Sequence, residues 1–355
     1  MRIAILSNAP PLARGGAGQV AGTYAELLRA RGHEIKTWGP KTAFSTLGAM
    51  DAVTRLWFHL TDLQPQDDVA REIRSWSPDV LLTHNLTGCG FGTPKAVGVR
   101  WVHFLHDVQL IEPSGQIIEG ESFRFVRNAW RGLWSGLRHS AMQEPDAVVS
   151  PTQWLQDFHK KYGWFAKCQT EIIPNPIRIG SVPAEKKRQA VFVGRLDADK
   201  GIDLLVASWK ELADPSARLV IIGEGSWLKR LQDTADPTIE VRGPLPNADV
   251  RKDLAESAVA VMPSRVWENQ PTVILEALAA GCNVVATDVG GVRETLGNAG
   301  WIVKPNDVEA LASGIADALK MKDDGSRADA RREILSRHDP EAVVGRLEGV
   351  LKSNL

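Results

Sequence analysis

Short apolar runs alternate with amphipathic stretches along the whole chain. RIAILSN near the N-terminus is a continuous apolar run of strand length. VAGTYAELLRARGH then brings Val20, Tyr24, Leu27 and Leu28 to one helical face and stops at Gly32. DVLLTHN, RWVHFLHD and DAVVSPT follow as strands with polar ends, separated by helix-like stretches. That rhythm predicts βαβ units and a parallel sheet covered on both faces. TEIIPNPIRIGSVPAEKKRQ is rich in proline and charge and reads as an interdomain connection. Beyond it AVFVGRL, ARLVIIGEG, IEVRGPL, AVAVMPS and CNVVATDVGG form five further strand candidates with helices between. The expected fold is therefore α/β, with two Rossmann-like domains whose parallel sheets face a central cleft. Ligands in such sheets sit outside the carboxyl ends of the strands. The expected divisions are an N-terminal Rossmann-like domain over 1–180, a C-terminal Rossmann-like domain over 181–335, and a C-terminal helix over 336–355 packing back on the first.

Composition narrows the function classes. A length of 355 residues is too much for one ordinary core, which agrees with two domains. A formal net charge of −1 offers no cationic excess for neutralising nucleic-acid phosphates. Cys89, Cys168 and Cys282 lie far apart, without metal spacing, which suits a reducing compartment. MRIAILSNAPPLARGG breaks too soon for a signal peptide, and no apolar run approaches membrane-spanning length. The expectation is a cytoplasmic protein, with the inner face of the membrane as its one membrane association. Asn85-Leu-Thr87 is a literal glycosylation sequon without an export signal to give it meaning.

GGAGQVA, residues 15–21, contains Gly16-x-Gly18-x-x-Ala21, the spacing of the dinucleotide fingerprint. That fingerprint needs its first glycine directly after the strand and an acid about 20 residues on. Here Asn8 to Gly15 intervene, and HEIKTWGP presents Lys36, Thr37 and Trp38 instead of an acid. An NAD oxidoreductase is thereby left a remote reading. The amides of Gly16, Ala17 and Gly18 still open a helix, where an anion can bind; a plain flexible turn is the competing reading.

The second half carries sharper chemistry. In VFVGRLDADKGIDLL, Arg195 and Lys200 follow a strand and Gly201 opens a helix, so two cations and a helix N-terminus can hold a diphosphate. In SRVWENQPTVILEALAAG, Glu268 lies in a loop, Pro271 near the first helical turn and Glu276 within the helix. A carboxylate at Glu276 can accept both hydroxyls of a ribose, and Glu268 can meet sugar hydroxyls. Alone, such acids would be taken to complement the helix dipole; beside the Arg/Lys loop they read as a site.

These motifs in order, with FLHD, VSPTQW, IPNPI, IIGEG and MPSRVWENQPTVILEALAAGCNVVATDVGGVRE, resemble the GT-B-fold retaining glycosyltransferases of the glycosyltransferase group 1 family, often called family 4. The resemblance spans nearly the whole chain. It implies a metal-independent transferase using a nucleoside-diphosphate sugar, a UDP-sugar ahead of a GDP- or ADP-sugar, with no further cofactor. It implies that Arg195 and Lys200 bind the donor diphosphate and stabilise charge on the leaving group. Glu276 would bind the ribose, and Glu268, with the backbone of Asn269, Gln270 and Pro271, the transferred sugar. Gly194 and Thr272 would line the donor nucleotide, and Gly223, Gly225, Gly243 and Pro244 the base. Gly16 and Gly18 would cover the diphosphate from the other domain, and His106 would lie near acceptor and sugar. Retention through front-face attack, with the departing phosphate oxygen taking the acceptor proton, is also implied. Where the family commonly has glycines after the first glutamate, this chain has Asn269-Gln270-Pro271-Thr272, and Pro271 has no N–H to give.

Three features compete with this reading. Asp197-Ala198-Asp199 is a literal DxD, a metal motif elsewhere, here inside the Arg195–Lys200 loop. His103 and His106 fall on opposite faces of a strand-like run, so they make poor joint ligands; His103 reads as structural and His106 as functional. Asp107 beside them reads as a loop cap more readily than as an acceptor contact. SFRFVRNAWRGLWSGLRH carries an apolar stripe of Val126, Trp130, Leu133, Trp134 and Leu137 flanked by Arg124, Arg127, Arg131 and Arg138. Such a helix packs its stripe on the sheet or, as a basic amphipathic helix over 123–139, lies on an anionic membrane beside a lipid-linked acceptor. A catalytically silent sugar-nucleotide-binding protein is the alternative to an enzyme acting on a glycan, lipid-linked or small-molecule hydroxyl.

Overall fold

The structure, a computed structural model, describes residues 1–8, 16–40, 52–120, 124–179, 185–233, 236–321 and 326–353, without the side chains of 52, 53, 55, 56, 124–126 and 326. Two compact units emerge: Met1–Ile117 with Glu121–Pro176 and Pro340–Leu355, and Ile118–Gly120 with Ile177–Asp339.

The first unit is built on β1 (Arg2–Leu6), β2 (Glu34–Trp38), β3 (Val80–Thr83), β4 (Arg100–Phe104), β5 (Ala147–Ser150) and β6 (Gln169–Ile172). They form one parallel sheet in the order β2-β1-β3-β4-β5-β6. The central strands are buried on both faces, which is why they read as unbroken apolar runs. Helices α1 (Gly16–Ala30), α2 (Ala52–Thr61), α3 (Asp67–Ser75), α4 (Thr93–Val97), α5 (Arg124–Met142) and α6 (Gln153–Lys161) connect them. The α1 face of Val20, Tyr24, Leu27 and Leu28 enters a core with Ile3, Ile5, Val80, Leu82 and Phe104.

The second unit is built on β7 (Lys187–Val193), β8 (Arg218–Ile222), β9 (Ile239–Gly243), β10 (Ser257–Met262), β11 (Asn283–Thr287) and β12 (Gly300–Val303). Its parallel order is β12-β11-β10-β7-β8-β9. Numbered within the unit this is 6-5-4-1-2-3, the dinucleotide-binding order, and it reverses between β7 and β10. Helices α7 (Ile202–Leu212), α8 (Leu228–Gln232), α9 (Asn247–Glu256), α10 (Thr272–Ala279), α11 (Val292–Leu296), α12 (Val308–Lys320) and α13 (Ser326–Arg337) cover both faces. On one face Leu205 and Trp209 of α7 pack with Leu311 and Ile315 of α12; on the other Leu254, Leu275, Leu278 and Leu335 form a second core. The Asp307 carboxylate starts α12 by accepting the Ala310 N–H at 2.9 Å.

The last helix, α14 (Pro340–Lys352), belongs to the first unit. Its Val343, Val344, Leu347 and Leu351 enter that core, and Glu348 takes the Arg31 guanidinium at 2.8 Å. No helix among the described residues is long and apolar enough to cross a membrane.

Three expectations are corrected. Part of TEII, taken as connection, is β6, which pairs with β5. β12, in GWIV, goes unread because it is four residues long, starts with glycine and is only half-buried. The third concerns α5, whose polarity is inverted. Arg131 and Arg138 are buried, whereas Trp130, Leu133 and Leu137 are 47, 58 and 38% exposed. Arg131 donates to Glu112 Oε2 at 3.0 Å, and Arg138 donates to the Gln109 carbonyl with its guanidinium 4.9 Å from the Phe91 ring. Burial lowers the Arg138 pKa to about 10 despite the nearby carboxylates of Asp62, Asp107 and Glu112. Those carboxylates under the helix explain the inversion, since a buried acid demands a buried cation. Of the stripe's described side chains only Trp134 packs inward, Arg127 stays exposed, and the side chains of Arg124 and Val126 lie outside what the structure describes.

Candidate active site

Two loops leave the sheet of the second unit where its order reverses. One runs from Gly194 at the end of β7 to Gly201 at the start of α7; the other follows β10 from Pro263 to Pro271. Gly201 has φ +71°, and a Cβ there would stand 1.9 Å from the Pro263 carbonyl oxygen, so only glycine lets the loops touch. Arg265 staples them. Its guanidinium donates to Asp203 Oδ1 and Oδ2 of α7 at 2.5 and 2.9 Å and to the Ala198 carbonyl at 2.6 Å.

Several of the side chains singled out in the sequence lie at this junction. Lys200 Nζ donates to Glu268 Oε1 at 2.6 Å, both side chains about four-fifths buried. The buried Ser264 hydroxyl lies 3.0 Å from the same oxygen and 3.2 Å from the Val266 carbonyl, with one hydrogen to give. The backbone of Glu268 pairs with Gly290 as an isolated parallel bridge, and its carbonyl accepts the Gly291 N–H at 2.7 Å. Arg195 reaches into solvent and is gripped by the two DxD carboxylates: it donates to Asp197 Oδ2 at 2.7 Å and to Asp199 Oδ2. Burial pushes the Asp197 carboxyl up, but hydrogen bonds from the Ser226 N–H and hydroxyl, with Arg195, outweigh it and leave its pKa below the ordinary range.

Pro271 caps α10 with φ −68°, and Thr272 is the first helical residue. Asn269, Pro271 and Thr272 are half-buried and Gln270 buried along this approach. One turn into the helix, Glu276 lines a cavity of about 410 Å³ with Ile177, Arg178, Asn247, Val250 and Arg251. Burial raises the Glu276 pKa, opposed by the charge of Arg251. Gly223 packs so closely that a Cβ would meet the Gly194 carbonyl oxygen at 1.8 Å, and Gly225 abuts Leu196. The Gly223 N–H also donates to the Gly243 carbonyl at 2.9 Å, next to the exposed Pro244. The two glycine turns thus brace the Arg195 loop.

Gly16, Gly18 and His106 belong to the first unit. Gly16 is the exposed first residue of α1, and Gly18 is buried one half-turn on; Gly15 lies outside the described residues. His106 sits past β4, stacked 5.0 Å from Phe104, and its Nε2 hydrogen-bonds His84 Nδ1 at 2.7 Å. Burial lowers the His84 pKa to about 3, and burial with the neighbouring His84 and His103 lowers that of His106, so both rings are neutral. His103, on the other face, bonds Thr83 Oγ1 at 2.7 Å. Asp107 accepts the Gln109 N–H and the Asn85 amide, each at 2.8 Å, and burial raises its pKa to about 6. Sequence reading missed His84, Ser264, Gly290 and the Arg265–Asp203 staple. For His84 there was a signal, since THN places it directly after a strand.

Residues 187–321 match the family described as Glycosyl transferases group 1, and residues 14–180 match Glycosyltransferase Family 4. The putative teichuronic acid biosynthesis glycosyltransferase TuaC of Bacillus subtilis is 38% identical over 130 residues. That match spans 36% of this chain and about a third, 32%, of TuaC. Sucrose-phosphate synthase from Thermosynechococcus elongatus superposes with a TM-score of 0.74 at 19% identity, over 99% of this chain and 98% of that one. HepE of Anabaena, solved in complex with UDP-glucose, gives 0.72 at 17%, over 99% and 100%. With both halves matched and a six-stranded parallel sheet beneath each, the chain belongs to the group 1 glycosyltransferases and has their two-domain, Rossmann-like GT-B fold.

Proposed function

We propose that this glycosyltransferase takes its sugar from a nucleoside-diphosphate sugar and transfers it, with retention and without a metal, to a hydroxyl of a glycan or lipid-linked glycan. The observation that carries the reading is the contact of Lys200 with Glu268 where the second sheet reverses order, with Arg195 on the same loop as Lys200. Arg195 and Lys200 take the diphosphate, and their charges count for more as negative charge grows on the leaving oxygen. Glu276 and the cavity beside it receive the ribose, with the loops of Gly194, Gly223, Gly225, Gly243 and Pro244 toward the base and Thr272 at the phosphates. Glu268 and the backbone of Asn269, Gln270 and Pro271 meet the sugar; Pro271, lacking an N–H, leaves hydrogen bonding there to side chains. As the acceptor oxygen bonds to the anomeric carbon, the bond to phosphate breaks and the departing oxygen takes the acceptor proton. HepE, with UDP-glucose bound, supports a UDP-sugar ahead of GDP- or ADP-sugars. For Gly16 and Gly18 at the diphosphate, and His106 at the acceptor, the family resemblance is the support.

The acceptor reading also draws on α2 and α5, which meet through His59 and Trp134 with ring centroids 5.8 Å apart. Trp57, Leu60, Trp130, Leu133 and Leu137 are exposed on these two helices. This supports contact of residues 123–139 with the inner face of the membrane led by apolar side chains, with Arg131 and Arg138 turned inward and not available to it.

Incubation with UDP-, GDP- and ADP-sugars in EDTA, with NMR detection of the first-formed product or hydrolysed sugar, tests the proposal. Retained anomeric configuration is expected. Inversion, or a strict magnesium requirement, contradicts the mechanism. Binding without turnover of any donor points to the non-catalytic alternative.

A further inference from the structure

Asp197 and Asp199 are left without a function by the donor reading, yet they make the closest contacts to one of its two cations. Arg195 has five N–H donors in a planar fork. Two of them are committed, one to Asp197 and one to Asp199. The grip is itself anchored: the Ser226 N–H and hydroxyl donate to the other Asp197 oxygen at 2.9 and 2.7 Å. The Asp199 carbonyl accepts the Arg265 N–H at 2.9 Å, while its Oδ1 is buried without a hydrogen-bond partner among the described residues. Asp199 therefore depends on Arg195 for its neutralisation. Among the described residues three N–H donors remain uncommitted on a guanidinium whose side chain is 48% exposed, so the fork is held in plane and still open to a ligand.

Both cations of the junction already face carboxylates. Lys200 is matched by Glu268, and Arg195 is matched by two carboxylates. An incoming diphosphate must share both cations with acids already in place. We propose that Asp197 and Asp199 are positioning residues that fix the Arg195 guanidinium and hold down the affinity of the loop for diphosphate, so that the nucleoside diphosphate product is released. They act through Arg195 and against the ligand, the opposite of metal ligands, which would bind the diphosphate by bridging to it. This inference rests on the donor reading above.

Calorimetry with inorganic pyrophosphate and with UDP, at low and high salt, each in EDTA and in magnesium, tests it on wild type, Asp197→Asn, Asp199→Asn and Asp199→Asn with Arg195→Ala. Both amides are isosteric, and melting temperatures report that each variant is folded. Removing one negative charge near a dianion is expected to tighten pyrophosphate about three- to tenfold, an effect that shrinks at high salt. The gain should vanish when Arg195→Ala is added. In steady-state assays, KM for the donor and kcat should fall together, because the product leaves more slowly. Unchanged or weaker pyrophosphate binding in both single variants overturns the proposal, as does binding that requires magnesium in wild type and is lost in the variants. If wild type binds UDP and pyrophosphate but the amides bind no tighter, the clamp is wrong and the donor reading stands. If neither wild type nor variants bind either probe, the donor reading fails and the clamp with it.

Discussion

Replacing Gly290 by alanine should disable the transfer chemistry while leaving the nucleotide seat in place. Gly290 has φ +62°, and a Cβ there would stand 2.2 Å from the Glu268 carbonyl oxygen, 2.9 Å from its nitrogen and 3.1 Å from its carbonyl carbon. All three are backbone atoms, so no rotamer change relieves the contact. To reach the 3.0 Å that real contacts respect, the loop carrying Glu268 must retreat by about 0.8 Å. The left-handed conformation costs alanine about 1 kcal/mol. Loss of the 2.7 Å bond from Gly291 N–H to the Glu268 carbonyl costs about another 1 kcal/mol. The sum, about 2 kcal/mol, should lower the melting temperature by roughly 4–8 °C for a unit of this size. A displacement of nearly 1 Å at the group proposed to contact the sugar should lower kcat/KM by about a hundredfold. Arg195 and Glu276 are held by other residues, and the Lys200 backbone keeps its N–H on the Asp197 carbonyl at 3.0 Å, so UDP affinity should stay within a few-fold by calorimetry. Activity within a few-fold of wild type would refute the reasoning, and so would parallel loss of UDP affinity.

Further outcomes follow from the same geometry. Lys200→Ala should lower turnover by about a hundredfold or more. Its stability should fall by no more than about 2 kcal/mol in urea titration, because Glu268 keeps the Ser264 hydroxyl; turnover near wild type would remove its assigned role. The first unit should lose stability below pH 6.5. Burial lowers the pKa of His84 and His103 to about 3 and of His159 to about 4, with His106 shifted the same way. Between those values and 6.5 the unfolded chain binds protons that the folded one refuses, so stability falls as pH falls. Asp62 and Asp107, raised to about 6 by burial, act in the opposite sense between about pH 4 and 6. Four histidines outweigh two aspartates, at about 1.4 kcal/mol per pH unit for each uncompensated histidine; a flat melting temperature from pH 7 to 5 would contradict this. Liposomes should carry the protein upward in flotation even at high salt, and Trp130→Ser with Leu133→Ser should abolish it. No flotation of wild type at low salt would remove the membrane contact.

Much of the fold was legible because buried parallel strands must be continuously apolar, as VLLT and AVVS are. The two loops proposed to hold the donor stood out too, since Arg195, Lys200 and Glu268 are charged residues just past strand ends and Glu276 lies one turn into a helix, where packing does not call for them. Periodicity failed at α5, where it ranks residues by hydropathy alone. The acids that draw Arg131 and Arg138 inward lie in loops and on α2–α3 connections far away in sequence. For the same reason the Arg195 clamp was invisible. DxD names two acids but not the partner they turn toward, and only coordinates show both facing an arginine within the same loop.

The central claim is that the junction of β7 and β10 binds the diphosphate of a sugar nucleotide. Its most direct test is the melting temperature of wild type and Lys200→Ala with UDP, GDP, ADP and their sugars, since a ligand that binds only the folded state raises it. At least one nucleoside diphosphate, UDP first, should raise the wild-type melting temperature at millimolar concentration and leave Lys200→Ala nearly unmoved. A wild type indifferent to all of them, or a shift of equal size in Lys200→Ala, would contradict the claim.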